Sequence, residues 1–432
     1  MKWCLNLVLV LVPMSALAAI ESPQKLGLDE AKKFAIGHNF EVQAQEQALE
    51  EAKAKAGRSR APFYPTLSII GGADTVTTLT SKNSSPVGYV QGMYNLFSGF
   101  QHLALRDIAD TQADIAEIRL AQTKFRTGLE VEKAFHAYLF KKGLIDLKKD
   151  ALDLNETHKK MAKQRRAAGL SVDSDVVEFD LRQSILQSDV LLYEQELEEA
   201  RTSLRRLLGE EVGGAVEPSG SLQHQHLRGT LMDYVNRIRN ESEAVRIATR
   251  EMEIAVAQSR VWRSRWLPTI DLEARVGYID YNYRPQADAG FSYAAGIFAK
   301  FDLFAGFDSM HEKREQIAKQ LRTEAELKNQ ILQAVSQTEV AFRHIKTIEA
   351  RVHLEAQNHT QASQYYKLTV SEYKRGLKNS MDVKLAAENL YDVAVREETY
   401  KFDFLSQRIE LEKALGGPVD SVPVSDTSHE GH

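Results

Sequence analysis

Cysteine occurs once in 432 residues, at Cys4, so no disulfide can form within the chain and no thiolate cluster can hold a metal. Charge of one sign is not in excess: 55 basic and 60 acidic residues leave a net charge of −5, which gives no reason to propose nucleic acid as a partner. No apolar run reaches the ~20 residues that a helix needs to span a bilayer. The patterns G-x-x-x-x-G-K-[ST], H-E-x-x-H and G-x-S-x-G are absent, and no nucleophile stands in sequence with a base. We therefore expect no catalytic residue, no cofactor and no resident metal. His429 and His432 sit in a short polar tail, read as disordered rather than as a metal site. The other histidines are scattered without ligand spacing. Proline is also scarce where it would matter. The ten prolines lie at 13, 23, 62, 65, 86, 218, 268, 285, 418 and 423, leaving 100–168 and 307–375 as two proline-free runs of 69 residues each.

The chain says the same thing twice. Phe63-Tyr-Pro-Thr-Leu67 recurs as Trp266-Leu-Pro-Thr-Ile270, and Tyr94-Asn-Leu-Phe-Ser-Gly-Phe100 recurs as Phe301-Asp-Leu-Phe-Ala-Gly-Phe307. Each proline-free run ends at a glycine followed by leucine, then Asp-Val: Gly169, Leu170, Asp175 and Val176 in the first copy, Gly376, Leu377, Asp382 and Val383 in the second. The offset between copies is 203 at the prolines and 207 from Gly99 onward, so the second copy carries four extra residues in between. A duplication must be read before any local motif.

Residues 28–61, 100–168, 172–208, 230–265, 307–375 and 380–415 are rich in good helix formers and free of proline, which costs ~3 kcal/mol in a helix interior. A 69-residue helix would be ~100 Å long at 1.5 Å per residue, and two half-length helices placed end to end would match it. Residues 66–78, 87–97, 269–283 and 291–304 alternate with period two and read as strands. In 269–283, Ile270, Leu272, Ala274, Val276 and Tyr278 share one face, with Asp271, Glu273 and Arg275 on the other. Phe291, Tyr293, Ile297, Phe301 and Leu303 form the apolar face of the last strand, opposite Lys300 and Asp302. Residues 81–87 and 282–290 read as hairpin tips. Strands of ~10 residues suit a membrane barrel. Four strands cannot close one, because an open edge in hydrocarbon leaves its backbone unpaired. A closed barrel with a usable lumen needs further copies, and twelve strands from three chains fit better than eight from two.

At the N-terminus, Lys2, the apolar stretch 5–12, Pro13 and the small-residue site Ala16-Leu17-Ala18 read as a Sec signal peptide over 1–18. We expect a first helix–hairpin–helix repeat over 19–220, a second over 221–418, and a disordered tail over 419–432.

The order helix, hairpin, very long helix, tip, return helix, all duplicated, resembles the TolC-like outer membrane efflux proteins. The resemblance rests on the paired Leu-Phe-x-Gly-Phe strand exits and the paired Gly-Leu-x₄-Asp-Val tips, and runs from about Leu26 to Gly417. It implies a mainly α fold with a β-hairpin pair, in which duplicated long α-helical hairpins form a trimeric α-barrel beneath a twelve-stranded outer membrane β-barrel. It further implies a homotrimer in outer membrane lipid with a large periplasmic portion. The tips would dock on a periplasmic adaptor and an inner-membrane pump of a tripartite efflux or type I secretion system. Cargo stays open between drug, metal ion and secreted protein.

The resemblance also implies roles for residues. Gly169, Leu170, Gly376 and Leu377 would form the docking tips, although a glycine can equally do no more than end a helix. Tyr373 and Lys378 would bond to Ser174 and Asp175 and hold the periplasmic gate shut, lysine lacking the planar fork of arginine. Asp382 would belong to a ring of acids at the aperture, whose second position is Leu385 here. Read by themselves, Asp175 and Asp382 are first-turn acids that complement a helix dipole, and Asp173 and Ser380 are N-cap types. The charged run 159–166 reads as a solvated helix face. The rival readings are a trimeric coiled-coil stalk or adhesin, and a periplasmic adaptor without channel activity.

Overall fold

The computed structural model describes residues 24–77, 82–169, 172–209, 216–223, 226–279, 290–303 and 306–421. In chain order it holds β1 (Gln24–Leu26), α1 (Leu28–His38), α2 (Phe40–Arg58), β2 (Thr66–Thr77), β3 (Lys82–Ser98), α3 (Gln101–Ala167), α4 (Asp173–Leu208) and β4 (Val216–Pro218). There follow α5 (Leu231–Glu241), α6 (Glu243–Ser264), β5 (Thr269–Ile279), β6 (Gly290–Lys300), α7 (Asp308–Lys374) and α8 (Ser380–Leu415). The mainly helical fold with two β-hairpins is as expected. The two long helices have 67 residues each and the two return helices 36 each. Residues 1–18, Leu170, His429 and His432 lie outside the described residues.

The chain divides into two compact units, one drawn from Met1–Asn39, Glu130–Gln223 and Leu354–Phe402, the other from Phe40–Leu129, His224–His353 and Asp403–His432. In the first unit, Ala31 and Ala35 of α1 pack on Phe135, Tyr138 and Leu139 of α3 and on Leu204, Leu207 and Leu208 of α4. In the second, the positions one repeat later are buried too: Tyr234 and Ile238 of α5, Ile345 of α7, Leu411 and Leu415 of α8. Two alanines facing a tyrosine in one copy become a tyrosine and an isoleucine facing an isoleucine in the other.

Two stretches expected as single helices are broken. Residues 28–61 split at Asn39, and 230–265 split at Ser242, both with extended ψ (126° and 130°). The cause is a close approach. Gly209 ends α4 in the left-handed region at φ 77°, and a Cβ there would lie 2.8 Å from the His38 carbonyl oxygen. The Asn39 side chain donates to the Leu207 carbonyl at 3.1 Å, anchoring the break. Gly416 stands against Glu243 in the same way, with a Cβ 3.3 Å from that side chain.

The strands form one antiparallel sheet in the order β2-β3-β5-β6, with β2 and β6 at its edges. β2 pairs with β3 from Thr66↔Met93, and β5 pairs with β6 from Thr269↔Lys300. β3 and β5 join the two hairpins, from Gly88↔Tyr278 to Ser98↔Thr269, with a bulge between Asn95 and Phe97. The expected loop at 81–87 is strand from Lys82 onward, with Pro86 paired to Ala73. Among the described residues β3 has only β2 beside it there, and a one-sided strand tolerates the missing donor. The last strand stops at Lys300, short of the expected 304. The short parallel pair β1–β4 was not expected.

The register sorts the sheet into two faces. Leu67, Ile69, Val90, Leu272, Val276, Tyr278, Phe291, Tyr293 and Ile297 lie on one face across all four strands, and all are exposed. The opposite face carries a polar network. The Gln91 amide donates to Glu273, Arg275 Nε donates to Glu273 Oε1 at 2.7 Å, and Asn95 Nδ2 donates to Asp271 Oδ1 at 2.7 Å.

Candidate functional site

Four helix ends meet at the tips, all within the first unit: the ends of α3 and α7 and the starts of α4 and α8. Both long helices end on a glycine in the left-handed region, Gly169 at φ 71° and Gly376 at φ 80°. At the second tip Gly376 N–H donates to the Tyr373 carbonyl and Leu377 N–H to the Glu372 carbonyl, both at 3.0 Å. These two bonds satisfy carbonyls that the helix end would leave unpaired. A Cβ on either glycine would meet nothing within 4 Å, and Leu377 is 70% exposed. The backbone turns there because of glycine, and the space around it is open.

The return helices start one residue away from the expected caps. Asn379, not Ser380, caps α8: its Oδ1 accepts from Asp382 N–H at 2.9 Å, and Asp382 Oδ2 accepts from Asn379 N–H at 3.0 Å. Asp382 is thereby spoken for by its own helix end. Asp173 is the first helical residue of α4 and pairs with Arg166 of α3. Since Asn379 takes the cap, the Ser380 hydroxyl is free to point elsewhere. It is 6% exposed and donates to Asp175 Oδ1 at 2.8 Å, tying the second tip to the first.

That bond is the first rung of a ladder between α4 and α8. Lys384 Nζ lies 2.6 Å from Glu178 Oε1, and Arg182 Nη1 lies 3.2 Å from Glu388 Oε1. Residues 380, 384 and 388 recur at i+4, and 175, 178 and 182 at i+3 and i+4, so each set lies on one helix face. The α3–α7 seam is aromatic. Arg165 lies over the Tyr373 ring, 4.6 Å from its centroid, and donates to the Tyr373 carbonyl at 2.6 Å. One heptad earlier, His158 Nε2 and the Tyr366 hydroxyl are 2.8 Å apart. Burial lowers the His158 pKa to about 4, and burial raises those of Tyr366 and Tyr373.

Of the expected gate residues, Asp175 takes part in a bond between hairpins, but with Ser380. Tyr373 is 2% exposed and sits under Arg165; its hydroxyl has no hydrogen-bond partner among the described residues. Ser174 is exposed and Lys378 half-buried, and among the described residues neither makes a hydrogen bond to Tyr373. Sequence reasoning missed Glu178, Arg182, Lys384, Glu388, His158 and Tyr366. It also read 159–166 as wholly solvated, whereas Arg165 turns onto Tyr373 and Lys159 onto Asp180. The spacing of the polar residues marks one face on each return helix, but not which face meets which.

Among the described residues no helix is long and apolar enough to cross a membrane, and no group of three or more His, Cys, Asp or Glu could hold a metal. The tips offer reversible hydrogen bonds and ion pairs. Among the described residues of the tips there is no nucleophile–base pair.

The family model described as outer membrane efflux protein matches residues 33–210 and 234–417. The chain is 24% identical over 421 residues to the pyoverdine export outer membrane protein OpmQ of Pseudomonas aeruginosa, covering 90% of this chain and 85% of that one. It is 22% identical over 427 residues to the proteases secretion protein PrtF of Dickeya chrysanthemi, covering 91% and 89%. Among solved structures, the outer membrane protein VceC of Vibrio cholerae superposes with a TM-score of 0.77 at 17% identity, covering 91% of this chain and 96% of that one. The open state of the MtrE outer membrane channel of Neisseria gonorrhoeae superposes with a TM-score of 0.76 at 14% identity, covering 91% and 89%. With both halves matched and the same fold throughout, the chain belongs to the outer membrane efflux protein family.

Proposed function

We propose that this chain is one subunit of a homotrimeric outer membrane channel in a tripartite efflux or type I secretion system. It conducts substrate passively from an inner-membrane pump, through an adaptor, across the periplasm and outer membrane. The observation that carries this is the two-faced sheet with two open edges. Its apolar face suits lipid, its polar face suits a water-filled lumen, and neither edge strand can stay unpaired in hydrocarbon. Three copies close a twelve-stranded barrel. The leader 1–18 is removed on export, and the two repeats, 19–220 and 221–418, supply matched halves of each subunit.

The tips carry the moving part. Gly169, Leu170, Gly376 and Leu377 form the docking end, which the open space around both glycines supports. The gate is the α4–α8 ladder of Asp175, Ser380, Glu178, Lys384, Arg182 and Glu388, with Ser174, Tyr373, Lys378 and Asp382 beside it. Partly exposed ion pairs are worth ~0–1 kcal/mol each, and a hydrogen bond to a charged group ~1.5–3 kcal/mol. Three copies of such a ladder bias the tips strongly to the closed state, yet each rung is weak enough for adaptor docking to displace. The names of the two relatives speak of pyoverdine export and of protease secretion, and both branches stay within the proposal.

The test is the purified, detergent-extracted protein. Native mass spectrometry should show trimers, and planar bilayers should show discrete conductance steps. A monomer that inserts and conducts, or a trimer that never conducts, would overturn the reading.

A further inference from the structure

The ion pairs at the tips leave a remainder of one sign. The two tip stretches that the repeat makes equivalent, 159–182 and 366–389, hold eleven basic and seven acidic residues, a net charge of +4 in a chain whose total is −5. Everything outside them sums to −9. Each stretch carries +2, yet the basic positions differ. Of the six in the first stretch, only Lys160 has a basic counterpart one repeat later, Lys367. The sign is common to both copies and the positions are not, as expected where a field matters rather than a particular bond.

Pairing sharpens the imbalance, because six of the seven acids are engaged. Asp175 accepts from Ser380, and Glu178 and Glu388 meet Lys384 and Arg182. Asp173 meets Arg166, Asp180 meets Lys159, and Asp382 accepts from the Asn379 backbone. Lys160 turns back to Glu156, and Arg165 covers Tyr373. Among the described residues this leaves one acid, Glu372, against five cations whose side chains make no ion pair or hydrogen bond: Lys163, Lys367, Lys374, Arg375 and Lys378. The first four cations are exposed and Lys378 is half-buried. A basic residue at the end of a helix complements the helix dipole, which accounts for Lys374 and Arg375. It does not account for Lys378, beyond the turn, or for Lys367, two turns before α7 ends.

We infer that the tip end is an anion-attracting mouth, so that the channel favours cargo of net negative charge, bearing carboxylate or phosphate groups, over cations. This rests on the trimeric channel reading and adds the chemical class of its cargo. Three copies gather the unpaired cations around one aperture. A helix is ~10 Å across with its side chains, and a charge is felt over ~10 Å at 0.1 M salt. A cation on either side of a tip helix therefore acts on the mouth. A passage lined by one sign of charge concentrates ions of the other sign at its entrance, and a tip aperture held nearly shut is where that concentration decides which ions pass.

The test is the reversal potential of the full-length trimer in planar bilayers, under a potassium chloride gradient near ~0.1 M. Chloride should be preferred over potassium several-fold, and the ratio should fall toward one near ~1 M salt, where the screening length is ~3 Å. Lys367→Glu with Lys374→Glu changes two exposed cations outside the ladder and the docking glycines, and should abolish or reverse the preference. Lys367→Arg with Lys374→Arg should keep it. Inorganic tripolyphosphate added on the side facing the tips should block the parent current at concentrations where spermine does not, and charge reversal should exchange the two. Should the glutamate variant fail to assemble, Lys367→Gln with Lys374→Gln carries the test, with a smaller fall in the ratio expected. A parent that prefers potassium overturns the inference. So does a chloride preference that the charge-reversed trimer keeps in full, since the selectivity then lies away from the tips. A trimer that conducts nothing overturns the channel reading itself.

Discussion

The two hairpin tips share a backbone and differ in side chains. Each follows a 67-residue helix, turns on a left-handed glycine and opens a 36-residue return helix. Yet the seam that joins them within one chain is polar at every rung, whereas the positions that the repeat makes equivalent are mixed: Asp173 and Asp382 for the first rung, Val177 and Leu385 for the second, Leu181 and Asn389 for the third. Lys384 corresponds to Val177, 64% exposed, and Glu178 corresponds to Leu385, 49% exposed. A rung that is an ion pair between α4 and α8 of one chain would be Val177 against Leu385 between neighbouring copies. The duplication has thus kept the turn and divided the labour. In the proposed trimer the switchable ion pairs lie within a chain, and the apolar pair Val177 and Leu385 would lie between copies.

The largest expected effect breaks what the tips share. Gly376→Val and Gly169→Val place a β-branched residue where φ is 80° and 71°. That costs ~1–2 kcal/mol locally, and export should fall to background for both while native mass spectrometry still shows trimers. Loss of the trimer would make these folding glycines and remove the docking role. Next comes the apolar pair. Val177→Asp should lower the thermal midpoint of the trimer, whereas Glu178→Ala should not. Equal shifts would erase the distinction between seams. Salt should sharpen it further. Raising ionic strength from 0.1 to 1 M shortens the screening length from ~10 to ~3 Å, so open probability should rise in the parent but not in a variant lacking Glu178 and Arg182.

A smaller effect concerns acid. Burial holds His158 at about 4, below its unfolded 6.5. Above 6.5 both states are neutral and the group contributes nothing. As pH falls from 6.5 to 4 the unfolded state takes up the proton first, so stability is lost across that window. Arg182, Lys384 and Glu388 line the same small cavity, and Tyr366 faces the ring from α7. His158→Phe should flatten the fall of the thermal midpoint over that range, and an unchanged slope would remove His158 as its cause. Least of all, Tyr373→Phe should leave conductance near that of the parent, because its hydroxyl has no hydrogen-bond partner among the described residues.

The helices and strands were legible because proline and period-two alternation are local. The breaks at Asn39 and Ser242 were not, because they are set by Gly209 and Gly416 arriving from far along the chain. β1 and β4 have three residues each, too short for any period to register. The strand through Pro86 was hidden because a proline reads as a loop unless the neighbouring strand is known. At the tips, Asp175 was found by resemblance, but its partner was not. Ser380 and Asn379 are both good caps, and only the structure shows which is used and which is released to reach Asp175. The rest of the ladder depends on how α4 and α8 are phased against each other, and nothing local in either helix encodes that.

The charged seam as gate is tested most directly by single-channel recording of Asp175→Ala with Glu178→Ala beside the parent protein, in the same bilayers and salt. The two changes remove both carboxylates that the first tip offers to Ser380 and Lys384 and touch neither the sheet nor the apolar pair. The account predicts intact trimers and a conductance raised several-fold. Intact trimers with the conductance of the parent would contradict it.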